Sequence, residues 1–424
     1  MAGLQVAAVR DADAALVTHS ERNFRLLWTA TSATNLADGL VLVALPLLAT
    51  RLTQSPAAVA SVGVALTMPW LLFALPVGAL ADRQDRRRLM LAANAARAAV
   101  VGLLALLTIS DALTMTALYM AAFTLGLAET VADTASQSIL PTVVPADRLE
   151  PANARLFGAQ TVTNEFVGPA LAGLLAGVAI ALALGTGAWL YLAAVPLLGL
   201  MRGAFRPATA GRLVLRRDIM GGLRYLWKHR LLRTLALFFF VTNVGWGAWR
   251  SIIVLFAVAP GPLELSTSVY GLLLTAMGVG GVLGTLVAVR LQRAIGSRWA
   301  IGADVLGTAT MLGMPALTTN LWLIGGAIII GGAGSTMWSV AATSIRQQAV
   351  PDVLLGRVSS AFRLLGFGGL TLGAAGAGIV AELAGLRAVF ATAAGLSLLL
   401  LFPFFFIVTN DAIDHTRRPA GVDA

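Results

Sequence analysis

From residue 26 onward the chain alternates between long apolar runs and short polar breaks. Twelve runs lie near 26–50, 57–81, 89–110, 112–137, 156–182, 186–203, 234–259, 267–289, 299–318, 321–344, 362–383 and 386–408. Each is close to or above the roughly 20 residues that an α-helix needs to cross a hydrocarbon core about 30 Å thick. The pattern predicts an all-α membrane protein with twelve transmembrane helices. Pro and Gly inside the runs do not argue against helix here, because neighbouring helices can satisfy the backbone groups they free. The break between the fifth and sixth runs is the least clearly marked. The first 23 residues are polar and mixed in charge, and do not read as a cleavable signal peptide.

Composition supports this reading. Only 12% of residues are charged and 58% are hydrophobic, against about 25% charged in an ordinary soluble domain. With no cysteine, disulfides, thiolate metal sites and cysteine nucleophiles are excluded. The three histidines, His19, His229 and His415, all lie outside the apolar runs, which argues against a buried histidine metal centre. No cofactor is expected.

The net charge of +10 gains meaning from its distribution. Of the 30 basic residues, 26 fall in the termini and the even-to-odd loops, while Arg51 and Arg387 lie on the other side and Arg97 and Arg250 inside helices. Cytoplasmic loops retain Lys and Arg, so both termini are expected in the cytoplasm of a bacterial cell. Cations spread over one membrane face suit anionic headgroups rather than a nucleic-acid groove, so no nucleic-acid partner is expected.

The expected organisation is a cytoplasmic segment 1–23, a bundle of six helices 24–203, a cytoplasmic linker 204–233, a second six-helix bundle 234–408 and a cytoplasmic tail 409–424. In the linker, Leu223, Leu226 and Trp227 recur at helical spacing among cations, which predicts an amphipathic helix lying on the inner leaflet. Two landmarks repeat at one offset. Gly78 and Gly284 are 206 residues apart, as are Pro145 and Pro351. A 6+6 duplication follows, hence two pseudo-symmetric bundles.

Residues 78–88, "GALADRQDRRR", interrupt the apolar pattern with a glycine, an acid and an arginine cluster. Gly78, Leu80, Asp82, Arg83, Arg86 and Arg87 resemble the signature of the major facilitator superfamily. The stretches "FRLLWTATSATNLADGLVLVALPLLATRLTQSP" and "SQSILPTVVPADRLEPANA" are similar to the branch of that superfamily containing the enterobactin exporter and macrolide efflux proteins. The resemblance covers about 24–408. It implies the major facilitator fold, and a latch at Asp82, with Arg83 and Arg86, that holds the halves together on the cytoplasmic side against the start of the eleventh helix when the carrier opens outward. On physical grounds, an acid at a helix C-terminus opposes the helix dipole and calls for a compensating partner. Asp82 either gates or fixes its own loop. The second copy has Ala288 at the equivalent position, so any latch there is weaker or built differently. Gly168, Pro169 and Gly173 partly match a fifth-helix motif of export-type members, with Ala172 in place of one glycine. Bending and simple close packing are both open for them.

Ionisable groups inside the bilayer are costly and usually face the bundle interior. Asp38, Arg97 and Glu165 fall at similar depths, so Arg97 is expected to pair with one of the acids. Glu129 and Asp133, at i and i+4, place two carboxylates on one helix face, where repulsion and desolvation disfavour charging both. Glu165, Glu129 and Asp38, in that order, are the candidate proton carriers; structural salt bridges are the alternative, more so for Asp133. The family's frequent arginine in the fourth helix is missing, and Arg97 stands as a substitute from another helix. Arg250 lies toward the outer side and Asp304 near the inner side. Trp246, Trp249, Phe239, Phe367 and Met337 are candidates for an apolar cavity lining, which suits a lipophilic small molecule.

The expected function is proton-coupled export of such a molecule by alternating access, with the bilayer and protons as partners and a single copy of the chain sufficient. An importer or lipid flippase of the same fold is the alternative. A polytopic membrane enzyme is disfavoured by the lack of acid or histidine clusters in the loops, and direct ATP drive by the lack of a phosphate-binding loop.

Overall fold

The computed structural model describes residues 2–145, 148–206 and 215–409. Residues 207–214 of the expected linker, the tail beyond Thr409 and the side chain of Ala288 lie outside the described residues. Among the described residues the chain is almost wholly helical. It runs through α1 (Ala2–Leu52), α2 (Pro56–Ala81), α3 (Arg86–Ile109) and α4 (Met115–Val143). Next comes a composite rod, α5 (Leu149–Gln160), a π-helical stretch (Thr161–Val167) and α6 (Gly168–Val178), followed by α7 (Ile180–Gly199). After the linker helix α8 (Leu215–Lys228) come α9 (Arg230–Ala257), α10 (Thr267–Leu317), α11 (Leu321–Ala349), α12 (Asp352–Ala384), α13 (Leu386–Leu399) and α14 (Leu401–Ile407).

Among the described residues, eleven helical segments are long and apolar enough to cross a membrane. α10 supplies two of them, Thr267–Val287 and Arg298–Leu317, because Gly296 breaks the helix with φ 81°, a conformation that glycine adopts without penalty. The composite rod from α5 to α6, which the π-helical stretch divides, makes the twelfth crossing. Twelve crossings return both ends to one side, which also carries most of the arginines; we call it the basic face. Four helices that start on the opposite face, α2, α4, α10 and α11, carry side-chain caps that satisfy orphan N–H groups, whereas α7 and α13 start there without one. Ser55 accepts from the amide of Ala58 (3.3 Å), Thr114 from Ala117 (3.2 Å), Ser266 from Val269 (3.4 Å) and Asn320 from Trp322 (2.9 Å).

Two expectations need correction. The fifth crossing ends at Val178 rather than 182, and the sixth begins at Ile180, with Ala179 alone in extended geometry between them (φ −158°, ψ 131°). No charged residue lies between Glu165 and Arg202, so a one-residue turn within continuous apolar sequence leaves no polar mark. The linker helix forms, but its apolar stripe is not turned wholly to lipid. Leu226 is fully buried in the core of the second half, with Leu223 packed against it. The Tyr225 hydroxyl donates to the carbonyl oxygen of Ala349 at 3.1 Å. Of the three apolar residues singled out in that stripe, Trp227 alone is exposed. Burial against a bundle end satisfies the same amphipathic pattern as burial in headgroups.

The two halves, α1–α7 and α9–α14, share one core toward the opposite face. Val59, Val62, Ala172 and Ala176 from the first half join Trp249, Ile252, Ala377 and Phe390 from the second in a single buried cluster. Toward the basic face this core splits. Leu27, Ile139, Leu198 and Phe205 form one cluster within the first half, and Phe238, Ile301, Trp338 and Phe362 another within the second. A shared apolar core joins the halves on the opposite face, whereas toward the basic face their buried apolar clusters are separate.

Candidate functional site

Between the halves lies a cavity of about 470 Å³, within the usual range for small-molecule sites. α2 and α12 run antiparallel along one side. Ser55 donates to Glu382 at 2.7 Å near the opposite face, Thr371 donates to Thr67 at 2.9 Å farther in, and the rings of Trp70 and Phe367 stack at 4.2 Å with planes 6° apart. On another side, α6 crosses the first arm of α10 so closely that a Cβ on Gly173 would lie 2.7 Å from the Cα of Gly271. Gly168 meets Gly39 of α1 in the same way, also at 2.7 Å.

The π-helical stretch has a local cause. Pro169 has no N–H, so the carbonyl of Glu165, four residues earlier, loses its α-helical donor. The amide of Gly168 instead donates to Thr163, five residues back. In the same stretch the carbonyl of Phe166 accepts from the Thr275 hydroxyl of the second half at 3.4 Å. Such bulges often occur at functional sites, and this one carries Glu165 onto the cavity wall.

Three of the acids singled out in the sequence, Asp38, Glu129 and Glu165, line this cavity. Arg97 lies behind Asp38, 1% exposed, with its Nη1 3.4 Å from the Asp38 Oδ1. The Tyr191 hydroxyl donates to the same oxygen at 2.5 Å, and the guanidinium sits 5.3 Å from the Tyr191 ring centre. Arg97 Nε and Nη2 have no hydrogen-bond partner among the described residues, although Glu129 and Asp133 are near enough to act on the charge. Asp133 is set back from the cavity, one turn from Glu129 toward the basic face. One turn further, Gln137 accepts from the Arg363 Nη2 of α12 at 2.9 Å, a polar contact between the halves on the basic side. Glu165 and Arg250 both line the cavity and are exposed, and neither is in an ion pair among the described residues.

Of the aromatic candidates, Trp246, Trp249, Phe239 and Phe367 line the cavity. Met337 does not; it is 7% exposed in the core of the second half. Ser335 and Ser339, four residues apart on α11, take the cavity side, and Met337 between them points about 200° away at 100° per residue. Asp304 also lines the cavity, 2% exposed, accepting from Thr308 at 3.3 Å.

The arginine-rich loop engages its own half. The amide of Arg86 donates to the carbonyl of Phe205 (3.3 Å), Arg87 Nη1 donates to the carbonyl of Met201 (2.6 Å), and the Arg206 Nε donates to the carbonyl of Arg83 (3.2 Å). Asp82 closes α2 with its amide on the Gly78 carbonyl at 3.1 Å. Its carboxylate has no hydrogen bond or ion pair among the described residues, and Gly78 has open space where a Cβ would be.

Trp70, Tyr191 and Gln137 were not singled out from sequence. Tyr191, one of four tyrosines, stands in an apolar run, where a phenol calls for a polar partner; this was the available signal. Trp70 has no such mark, and its role follows only from the pairing of α2 with α12.

Comparison with known proteins agrees with this architecture. A family described as transmembrane secretion effector matches residues 14–418. The multidrug efflux pump Tap of Mycolicibacterium fortuitum is 27% identical over 398 residues, 90% of this chain and 95% of that protein. An uncharacterized MFS-type transporter, y4rN, of Sinorhizobium fredii is 30% identical over 282 residues, 62% of this chain and 66% of its own length, slightly under two thirds of that relative. Among solved structures, the nucleoside transporter NupG superposes with a TM-score of 0.72 at 14% identity, over 91% of this chain and 99% of that one. A bacterial homologue of the lysosomal transporter Spinster gives 0.70 at 14% identity, over 95% and 99%. Two six-helix halves around a central cavity, with a family match over nearly the whole length, place this chain in the major facilitator superfamily, as a multi-pass membrane transporter of the transmembrane secretion effector family.

Proposed function

We propose that the protein exports lipophilic small molecules in exchange for protons, by alternating access of the central cavity to the two membrane faces. The single observation that carries this reading is the cavity itself: an aromatic chamber between the halves into which Glu165, Glu129 and Asp38 bring carboxylates. The arginine count assigns the basic face to the cytoplasm. With the halves joined by the shared core on the opposite face, a substrate enters from the cytoplasm or inner leaflet and settles among Trp70, Phe367 and Trp246. Reopening on the far side requires the contacts Ser55–Glu382, Thr67–Thr371 and Gly173–Gly271 to part.

Protons supply the direction. Glu165 is the foremost carrier, because it faces the cavity without an ion-pair partner, whereas Asp38 is already held by Arg97 and Tyr191. A carboxylate that loads from the outside and discharges to the cytoplasm couples inward proton flow to outward substrate flow. Asp82 is assigned to the complementary state: disengaged here, it would clasp the start of α12 when the basic face closes. The relative named as a multidrug efflux pump supports the direction of transport. The test is drug accumulation in cells with and without the protein, each with and without a protonophore. Lower accumulation that the protonophore abolishes is expected; higher accumulation in expressing cells would overturn export in favour of uptake.

A further inference from the structure

The wall of the cavity is electrically lopsided. Asp38, Glu129 and Glu165 line it from the first half, whereas Arg250 of α9 is the cation that lines it from the second. The charge of Asp38 is already met by Arg97 and Tyr191, and Asp304 is almost fully covered. Glu129, half-buried, remains, with Glu165 and Arg250. Glu165 and Arg250 stand on opposite halves, both exposed at the cavity and near enough to influence each other, yet no ion pair joins them. A carboxylate and a guanidinium held at a low-dielectric cavity wall keep hydrogen-bonding capacity that a ligand between them satisfies better than water alone. Around them lie aromatic rings: Phe367, backed by the nearly buried Trp70 stacked on it, and Trp246, set edge-to-face on the nearly buried Trp249 with ring centres 6.2 Å apart.

We infer that the cavity selects amphoteric amphiphiles: a flat apolar body carrying a cationic nitrogen for Glu165 and Glu129 and a carboxylate or similar anionic group for Arg250. This names the substrate class of the export function proposed above and rests on that cavity being the transport site. The polarity also gives the ligand a role in the cycle. A molecule gripping Glu165 on the first half and Arg250 on the second ties the halves together through its own length, so a ligand with one charge occupies the cavity without that tie. An arginine fork suits a planar carboxylate better than a lysine does, which favours an oxygen anion at that end.

The test uses three dyes that share one xanthene body: fluorescein (anionic), rhodamine 110 (zwitterionic) and its methyl ester rhodamine 123 (cationic). Binding to the purified full-length protein in detergent is followed by fluorescence anisotropy. Rhodamine 110 is expected to bind at least about tenfold tighter than either the anionic or the cationic dye. Arg250→Gln should bring the ratio of acid to ester close to one, and Arg250→Lys, which keeps the charge, should retain most of it. Glu165→Gln should erase the advantage of rhodamine 110 over fluorescein. Equal or tighter binding of the ester by the unaltered protein, an unchanged ratio in Arg250→Gln, or no binding of any dye overturns the inference. Binding in detergent involves neither gradient nor direction. The expected selectivity without proton-driven transport would therefore sink the export reading and leave this site standing, whereas transport of purely cationic compounds without the selectivity would do the reverse.

Discussion

Replacing Gly173 by alanine should hold the carrier open on the face that is closed here. The new Cβ would lie 2.7 Å from the Cα of Gly271 and 2.8 Å from the carbonyl oxygen of Thr267. Both are backbone atoms, so no side chain can swing aside. Carbon atoms rest at about 3.5–4.0 Å, so α6 and α10 must separate by roughly 1 Å. Overpacking of this kind costs about 1–3 kcal/mol, and here the cost falls only on the state in which the opposite face is shut. The equilibrium between the two states should move by about 5- to 150-fold toward opening on that face. The chain has no cysteine, so Ser55→Cys and Glu382→Cys can be introduced without prior engineering at a site where the native side chains meet at 2.7 Å. A short bifunctional thiol reagent reads closure as crosslinking yield, and spin labels at the same pair read it as a distance distribution. Gly173→Ala should lower the yield and populate longer distances. Gly185→Ala, whose Cβ has nothing within 4 Å, should change neither. Equal closure in Gly173→Ala and the parent would refute the reasoning, because a rigid backbone contact would then have no effect on the conformational equilibrium.

Other consequences are equally open to measurement. Asp38→Asn leaves the Arg97 guanidinium, 1% exposed, without its direct counterion; a loss of about 3–5 kcal/mol is expected as a lowered thermal unfolding midpoint. Adding Arg97→Met should recover most of that loss, and no difference between the single and double variants would count against the pair. Leu226→Ala should cost about 2–5 kcal/mol because α8 is docked on protein, whereas Trp227→Ala, at an exposed position, should stay within about 0.5 kcal/mol; the reverse order would mean that α8 rests on lipid. Glu165→Gln should abolish proton-driven efflux from vesicles, and full retained transport would remove Glu165 as the carrier. Arg363→Ala deletes the bond to Gln137 and should widen label distances across the basic face while changing stability by no more than about 1.5 kcal/mol.

How much was legible in sequence follows from which signals are local. Hydropathy alone marks the crossings, because a helix in lipid must satisfy its own backbone and present apolar side chains along its length. It fails at Ala179, where a single extended residue turns the chain within apolar sequence, and at α8, where amphipathicity cannot say whether protein or headgroups cover the stripe. Asp38, Glu129 and Glu165 stood out because charge inside lipid is rare enough to need a reason. Their partners did not: that Arg97 meets Asp38 rather than Glu165, and that Tyr191 joins them, depends on the relative rotation of α1, α3 and α7, which no single helix encodes. Met337 shows the same limit in reverse, since an apolar residue on a helix that borders both core and cavity carries no mark of which side it faces.

The most direct test of the account is proton movement in proteoliposomes that contain the purified protein and a pH-sensitive dye, with an export substrate on one side of the membrane. Running the substrate down its gradient should drive protons against that flow and acidify the compartment the substrate leaves, with Glu165→Gln silent. Protons moving together with the substrate, or substrate flux with no proton movement in the unaltered protein, would contradict it.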